Sequence, residues 1–248
     1  MGHRQGMRNL ISVSRRTDVP AFYGRWFLNR LSEGFAGWEN PFGGQKALFS
    51  LRAEEVTAFA FWSKNVRPFL PVLKLLKQHG FPVFFNYTIT GLPPLFERQC
   101  VDADDAVDSL GELAGLFSPE HINWRYDPIV ISSLTPPSFH ERRFAELCGK
   151  LRGKVSRCCF SYAVRYGKVA RSFQCLEAES GVAIQDPPQQ ARLTLARRLC
   201  EIAAAHGIEK ALAGEAADEI GFIQRAAVQG FRVRCAAVAQ AMAQRVEA

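Results

Sequence analysis

Residues 83–126 contain one strand–helix–strand unit: VFFNYTI (83–89), DADDAVDSLGELAGLF (102–117) and INWRY (122–126). The first and last runs are rich in aromatic and β-branched residues, which is typical of buried strands. The middle run repeats apolar side chains at helical spacing, at Ala106, Leu110, Leu113 and Phe117. A crossover helix between two strands indicates a parallel sheet with helices outside it.

The same alternation continues on both sides of this unit. Further strands are predicted at residues 10–14, 46–51, 58–62 and 155–162. Further helices are predicted after Pro20, after Asn65 as a cap, after a capping box of Ser138 and Glu141, and after Asp186. We therefore expect one α/β domain over residues 10–207, a TIM-like (β/α) barrel that is either complete or a partial (β/α)6 form. An open, doubly wound sheet is the alternative.

The composition narrows the classes of partner. The 248 residues carry a formal net charge of +7, which favours anionic partners, either small molecules with phosphate or carboxylate groups or nucleic acid. No apolar run is long enough for a membrane span, and the start lacks the features of a secretory signal. We therefore expect a cytoplasmic protein with a flexible extension over residues 1–9 and no membrane partner.

Polar side chains follow every predicted strand at its carboxyl end, where β/α folds collect their functional groups. The residues expected to bind substrate are Arg15, Arg16, Lys64, Asn65, Thr88, Thr90 and Arg125. The residues expected to act in catalysis are Asp18, Asp127 and Tyr162. Four of these ten side chains are cationic, and guanidinium groups directly after a buried strand are costly unless an anion pairs with them. The set predicts a pocket for an anionic or nucleotide-like group.

Each of these residues also has a purely structural interpretation. Asp18 and Asn65 are common helix caps, and threonine is an ordinary strand residue. Arg125 and Asp127 are close enough in sequence to form a local ion pair. The prediction of a site therefore depends on the set of residues at one edge of the sheet and on no single member.

Other kinds of site find little support in the sequence. None of the five histidines falls at a strand end, which argues against a histidine metal site or a hydrolytic triad. Glycine-rich phosphate loops of the known forms are absent. The seven cysteines include no C-x-x-C pair, so we expect reduced thiols and no metal ligands among them.

The predicted strand ends coincide with stretches that resemble a known family. These stretches are SRRTDVPAFY (14–23), NPF (40–42), FWSKN (61–65), TITG (88–91) and WRYDPI (124–129). The first and last are specific, and the others occur in the right order. Together they resemble the family called domain of unknown function 1848 over the chain to about Gly207.

The resemblance implies a relative of the radical S-adenosylmethionine enzymes, with a partial barrel and a cysteine cluster near the C-terminus. Such a cluster holds a 4Fe–4S centre by three thiolates and leaves one iron for S-adenosylmethionine. In this chain, residues 208–248 contain a single cysteine, Cys235, so the ligands of the implied cofactors are not present. We expect a divergent helical tail there, either a variant that lost the cluster or the product of a shifted reading frame or truncation.

Three functions follow from these patterns. The first is a radical S-adenosylmethionine-like enzyme with a cationic pocket, inactive if the cluster is missing. The second is a nucleic-acid-binding or repair-associated protein without redox chemistry, with Trp62, Trp124 and Tyr162 stacking on bases. The third is a degenerate scaffold that keeps the polar face and performs no reaction.

Overall fold

A computed structural model describes residues 9–14, 17–39 and 43–213. The strands in these residues are β1 (Asn9–Ser12), β2 (Phe35–Glu39), β3 (Lys46–Ser50), β4 (Val56–Ser63), β5 (Val83–Thr88), β6 (Ile122–Ile129), β7 (Arg157–Tyr162) and β8 (Glu209–Ala213). The helices are α1 (Val19–Phe22), α2 (Gly24–Glu33), α3 (Leu70–Gln78), α4 (Ala103–Leu116), α5 (Pro137–Leu151), α6 (Gly167–Ser180) and α7 (Gln189–Ala205). In these ranges no helix is long and apolar enough to cross a membrane.

The principal sheet has the strand order β1-β4-β5-β6-β7-β8, and β2 and β3 form a separate antiparallel hairpin. The pairings of β1 with β4, of β6 with β7 and of β7 with β8 are parallel. This confirms the predicted α/β fold with a mostly parallel sheet and surrounding helices. Within the described residues no pairing between β1 and β8 closes the sheet, so a closed barrel is not observed.

The described residues form two compact units. In the first, residues 9–63 and 67–85, the core is aromatic because α2 lays Phe27 against β4. The Phe27 ring lies 5.3 Å from that of Phe59 and 5.6 Å from that of Phe61. The absence of a side chain at Gly24 matters here, since a Cβ would lie only 3.3 Å from the ring of Phe69. These contacts fix α2 on one face of β4.

In the second unit, residues 64–66 and 86–213, α5 packs on one face of β6 and β7. Phe144 of α5 stacks on Trp124 of β6 at 4.8 Å, and its ring meets that of Phe160 of β7 at 6.2 Å. The Trp124 indole N–H donates to the carbonyl of Ile89 at 2.9 Å. Because successive strand residues point to opposite faces, the apolar residues of β6 occupy the α5 side and leave their neighbours for the other side.

The first turn of α5 carries a buried histidine, His140. The carbonyl oxygen of Val130 lies 3.0 Å from His140 Nε2. A carbonyl oxygen can only accept a hydrogen bond, so Nε2 carries the hydrogen. The other ring nitrogen then accepts from the Tyr126 hydroxyl at 2.9 Å. Burial keeps the imidazole neutral by lowering the pKa of His140 and raises the pKa of the Tyr126 phenol. Both groups are therefore structural.

Several local predictions were wrong. Helix α5 begins after Pro136, without a side-chain cap, so Ser138 and Glu141 lie inside the helix and form no capping box. The cap of α3 is Phe69 and not Asn65, because a 3-10 turn, Arg67–Phe69, precedes that helix. The cap of α7 is Pro188, and Asp186 instead pairs with Arg192.

Three elements were not predicted: β2, α6 and β8. The strand β8 follows residue 207, where we expected the barrel-like domain to end. The remainder of the expected tail, from residue 214, lies outside the described residues, as do residues 1–8.

Candidate functional site

The second unit carries polar side chains on the face of β5, β6 and β7 that α5 does not cover. Along each strand they occupy the positions that alternate with the apolar ones: Asn86, Thr88, Asn123, Arg125, Asp127, Cys159 and Ser161. Parallel strands end at the same edge of a sheet, so these residues lie in successive rows towards their carboxyl ends. Burying polar groups costs free energy unless each finds a partner. Such a face is therefore a candidate functional site.

The row farther from the strand ends is a chain of hydrogen bonds across three strands. The Cys159 thiol lies 3.4 Å from Asn123 Oδ1, to which it donates. Asn123 Nδ2 donates in turn to Asn86 Oδ1 at 2.8 Å. Asn86 is 1% exposed, and its Nδ2 has no acceptor among the described residues. All three side chains of this row are buried. They are joined by hydrogen bonds, and the Nδ2 of Asn86 is left without a partner among the described residues.

The next row is ionic. Arg125 of β6 forms an ion pair with Asp127 on the same strand, and the Ser161 hydroxyl of β7 donates to the other carboxylate oxygen of Asp127. Both charged side chains are 19% exposed, so the pair is shielded from water but still reachable. Asp127 thus fixes the direction of the guanidinium and links β6 to β7. The local ion pair considered from the sequence is present.

A cavity of about 420 Å³ opens at the end of β5. Its wall includes Lys64, Thr88 and Thr90, three of the residues predicted to bind substrate. Lys64 pairs with Glu97, whose other oxygen accepts from the Thr90 hydroxyl at 2.6 Å. The structure therefore brings these three residues together and adds Glu97, which the sequence did not single out.

The far side of this cavity is shaped by Gly91 and Arg143. The φ angle of Gly91 is +58°, and a Cβ there would lie 2.2 Å from Arg143 Nε. Any other residue at position 91 would therefore displace the guanidinium of Arg143, which also lines the cavity. The cavity wall thus contains three cationic side chains, those of Lys64, Arg98 and Arg143. It also contains two carboxylates, those of Glu97 and Asp102.

The other predicted catalytic residue of this unit, Tyr162, has a structural partner. Its hydroxyl donates to the carbonyl of Arg192 at 3.1 Å, and the Arg192 guanidinium lies 5.5 Å from the centre of its ring. Burial raises the pKa of Tyr162 to about 12. The phenol is thus protonated and bound to the first turns of α7.

Asp18 belongs to the first unit. One of its carboxylate oxygens accepts from the backbone N–H of Ala21 at 2.9 Å and caps α1. The other accepts from the Ser63 hydroxyl at 3.0 Å, at the end of β4. Asp18 is therefore both a helix cap and a link between two strand ends. Arg15 and Arg16 lie outside the described residues, and Asn65 is half-buried.

The described residues do not fit an iron–sulfur cluster. They contain no group of three or more His, Cys, Asp and Glu side chains that could hold a metal ion. Cys148, Cys158 and Cys159 are buried, and burial raises the pKa of Cys148 to about 12, which keeps its thiol protonated. Cys235 lies outside the described residues.

Residues of the polar face and of the cavity that the sequence reasoning missed fall into two kinds. Asn86, Asn123 and Ser161 alternate with apolar residues on predicted strands, so the strand period could have found them. Glu97 and Arg143 come from a loop and a helix, and no spacing rule connects them to β5. Trp124, considered as a stacking residue, is completely buried, and Trp62 is half-buried.

A family model described as Domain of unknown function (DUF1848) matches residues 10–245 of the chain. The matched range includes the strand ends described above and continues past Gly207, to which the resemblance in the sequence extended. No curated protein and no solved structure matches the chain.

Proposed function

This chain belongs to the family described as Domain of unknown function (DUF1848), and we propose that it is an enzyme that binds a small anionic, nucleotide-like substrate at the carboxyl ends of β5, β6 and β7. The observation that carries this proposal is the polar face of the second unit. Two rows of hydrogen-bonded polar side chains replace the apolar residues that would pack a purely structural core there. Cores normally avoid such groups unless function requires them.

Arg125 and Lys64 are the described cations that we assign to the anionic group. Each is held by a carboxylate, Asp127 or Glu97. An arginine has five N–H donors and a lysine three, so one carboxylate does not exhaust either residue. A guanidinium that is already held in place loses less side-chain entropy when the ligand binds. Arg15 and Arg16, outside the described residues, stay proposals from the sequence alone.

The proposed chemical roles follow from the hydrogen bonds. Asp127 accepts hydrogen bonds on both oxygens and is suited to binding a ribose hydroxyl or an amine, besides orienting Arg125. We keep Asp18 as a second acceptor at a strand end. Tyr162 can orient substrate only if its hydroxyl leaves the Arg192 carbonyl, and its raised pKa makes it a weak acid.

The finer expectations about fold and cofactor also stay proposals. A strand order that follows the chain, with a helix-bearing connection after each strand from β4 to β7, supports an open, partial (β/α)6 barrel. Radical S-adenosylmethionine chemistry requires a cluster that the described residues do not fit, so no step is derived through it. The nucleic-acid alternative loses Trp124 as a stacking residue, because that ring is in the core.

Calorimetric titration with inorganic phosphate, ribose 5-phosphate and the four nucleoside 5′-monophosphates tests the proposal. We expect at least one of these anions to bind, and Arg125→Gln to weaken that binding by at least about tenfold, since a charge-assisted hydrogen bond is worth about 1.5–3 kcal/mol. Arg152→Gln removes the same charge from an exposed position at the end of α5 and should leave binding unchanged. Lys64→Gln serves as a second variant if Arg125→Gln does not fold. Absence of binding by all six anions, or equal binding by the folded variants, would refute the proposal.

A further inference from the structure

We infer that Asn86 recognises an uncharged hydrogen-bond acceptor on the substrate, so that the ligand is a nucleoside phosphate whose base lies along β5. The inference rests on the proposed function and extends it from an anionic group to the neutral part of the same molecule. Three observations support it: the burial of Asn86, the direction of its hydrogen bonds and its place two residues before Thr88, which lines the cavity.

Asn86 is buried in the middle of the polar face. It is 1% exposed and lies between Phe84 and Thr88 on the same side of β5. A side chain this deep has no bulk water to complete its hydrogen bonds. Every polar atom of its amide therefore needs a protein, ligand or ordered-water partner.

The neighbouring strands fix the direction of the amide. The Cys159 thiol donates to Asn123 Oδ1, which turns Asn123 Nδ2 towards Asn86. In this arrangement Asn86 Oδ1 accepts from Asn123 Nδ2, since two amide nitrogens facing each other would both be donors. Asn86 Nδ2 is left pointing away from this chain of hydrogen bonds, and no acceptor for it exists among the described residues.

Leaving that donor unpaired costs free energy that a leucine or alanine in its place would avoid. Uncompensated buried donors in native proteins are uncommon and call for an explanation. We assign the missing acceptor to the substrate. It must carry a lone pair, as a carbonyl oxygen or a ring nitrogen does.

The position of Asn86 relative to the cavity identifies the rest of the ligand. Thr88, two residues farther along the same face, lines the cavity with Lys64. Two residues of a strand advance by roughly 6.6 Å. A ligand that places an anionic group beside Lys64 and a neutral acceptor beside Asn86 therefore runs along β5. A nucleoside monophosphate combines a phosphate with a heterocycle rich in carbonyl oxygens and ring nitrogens.

Titration with matched ligands tests this inference. We compare the four nucleoside 5′-monophosphates with ribose 5-phosphate, which has the anion and the sugar but no base. Wild-type protein should bind at least one nucleotide at least fivefold more tightly than ribose 5-phosphate. Asn86→Asp keeps the oxygen that Asn123 needs and replaces the donor by an acceptor. It should remove that preference by weakening the nucleotide more than ribose 5-phosphate, because the added charge repels the phosphate of both ligands alike and the lost hydrogen bond is worth about two- to tenfold in binding.

Asn29→Asp adds the same charge at an exposed position on α2 and should leave both affinities unchanged. If Asn86→Asp does not fold, Asn86→Ala provides the same comparison with the donor simply removed. Binding of ribose 5-phosphate with no preference for any nucleotide, or a preference that survives in the folded Asn86 variant, overturns the inference and leaves the proposed function standing. Failure of all these ligands to bind wild-type protein overturns both.

Discussion

Asp127 shows at the scale of a single residue how this site differs from a set of exposed charges. It accepts from Arg125 and from Ser161, and both members of the ion pair are largely shielded from water. A carboxylate in this position directs the guanidinium and holds two strands together. The sequence placed Arg125 and Asp127 at a strand end, but only the register of β6 against β7 brings Ser161 to the pair.

His140 makes a pH-dependent contribution to stability. Burial lowers its pKa below the ordinary value of 6.5, so the unfolded chain binds a proton there that the folded chain does not. The contribution of His140 to the free energy of unfolding is complete above pH 6.5, the ordinary pKa of histidine, and is lost as the pH falls below it. The slope for one proton is at most about 1.4 kcal/mol per pH unit.

Urea denaturation between pH 8 and pH 5 measures this contribution. The free energy of unfolding should fall with pH in the wild type and fall less steeply in His140→Gln, whose amide can both accept from Tyr126 and donate to Val130. His79→Gln, at the exposed end of α3, should keep the wild-type slope. An unchanged slope in His140→Gln would mean that this imidazole takes up its proton in the folded protein as well.

Strands and helices could be predicted from the sequence where buried apolar residues recur at the spacing of a strand or of a helix. The strand VFFNYTI and the stripe of α4 are visible in the sequence because both bury large side chains at a regular period. Helix α6 was missed because none of its residues is fully buried, and its packing consists of the half-buried Phe173 and Leu176. The strand FAGWE lacks alternation, since its residues in the β2–β3 hairpin are mostly exposed on both faces.

Helix ends were the weakest predictions, and they supply a direct comparison. Asp102, the first residue of the run predicted to be helical, caps α4 by accepting from the N–H of Asp104 at 2.8 Å. Ser138 lies inside α5 and caps nothing. Prolines at residues 136 and 137 start that helix earlier than the capping-box pattern does, because proline is well suited to a first helical turn.

Alanine substitution distinguishes the two residues. Asp102→Ala should lower the free energy of unfolding by about 1 kcal/mol, the usual value of an N-cap, whereas Ser138→Ala should change it by less than about 0.5 kcal/mol. Chemical denaturation at neutral pH measures both. Equal losses in the two variants would show that α5 uses Ser138 as its cap after all.

On the scale of the whole molecule, strand–helix alternation was enough to predict a parallel α/β sheet with helices around it. It did not decide whether the sheet closes. Closure depends on hydrogen bonds between the first and last strands, and no local pattern in a sequence encodes such a long-range pairing. The same reason limits the site: Arg125, Lys64 and the threonines follow strands in the sequence, while Glu97 and Arg143 reach the cavity only through the packing of a loop and α5.

Hydrogen exchange read by mass spectrometry, with and without a saturating mixture of the four nucleoside 5′-monophosphates, tests most directly whether the polar face of β5, β6 and β7 binds an anionic substrate. Peptides that cover residues 86–92, 123–129 and 159–163 should exchange more slowly with ligand in the wild type and show no change in Arg125→Gln. Protection confined to other segments, or no protection in any segment, would contradict the account.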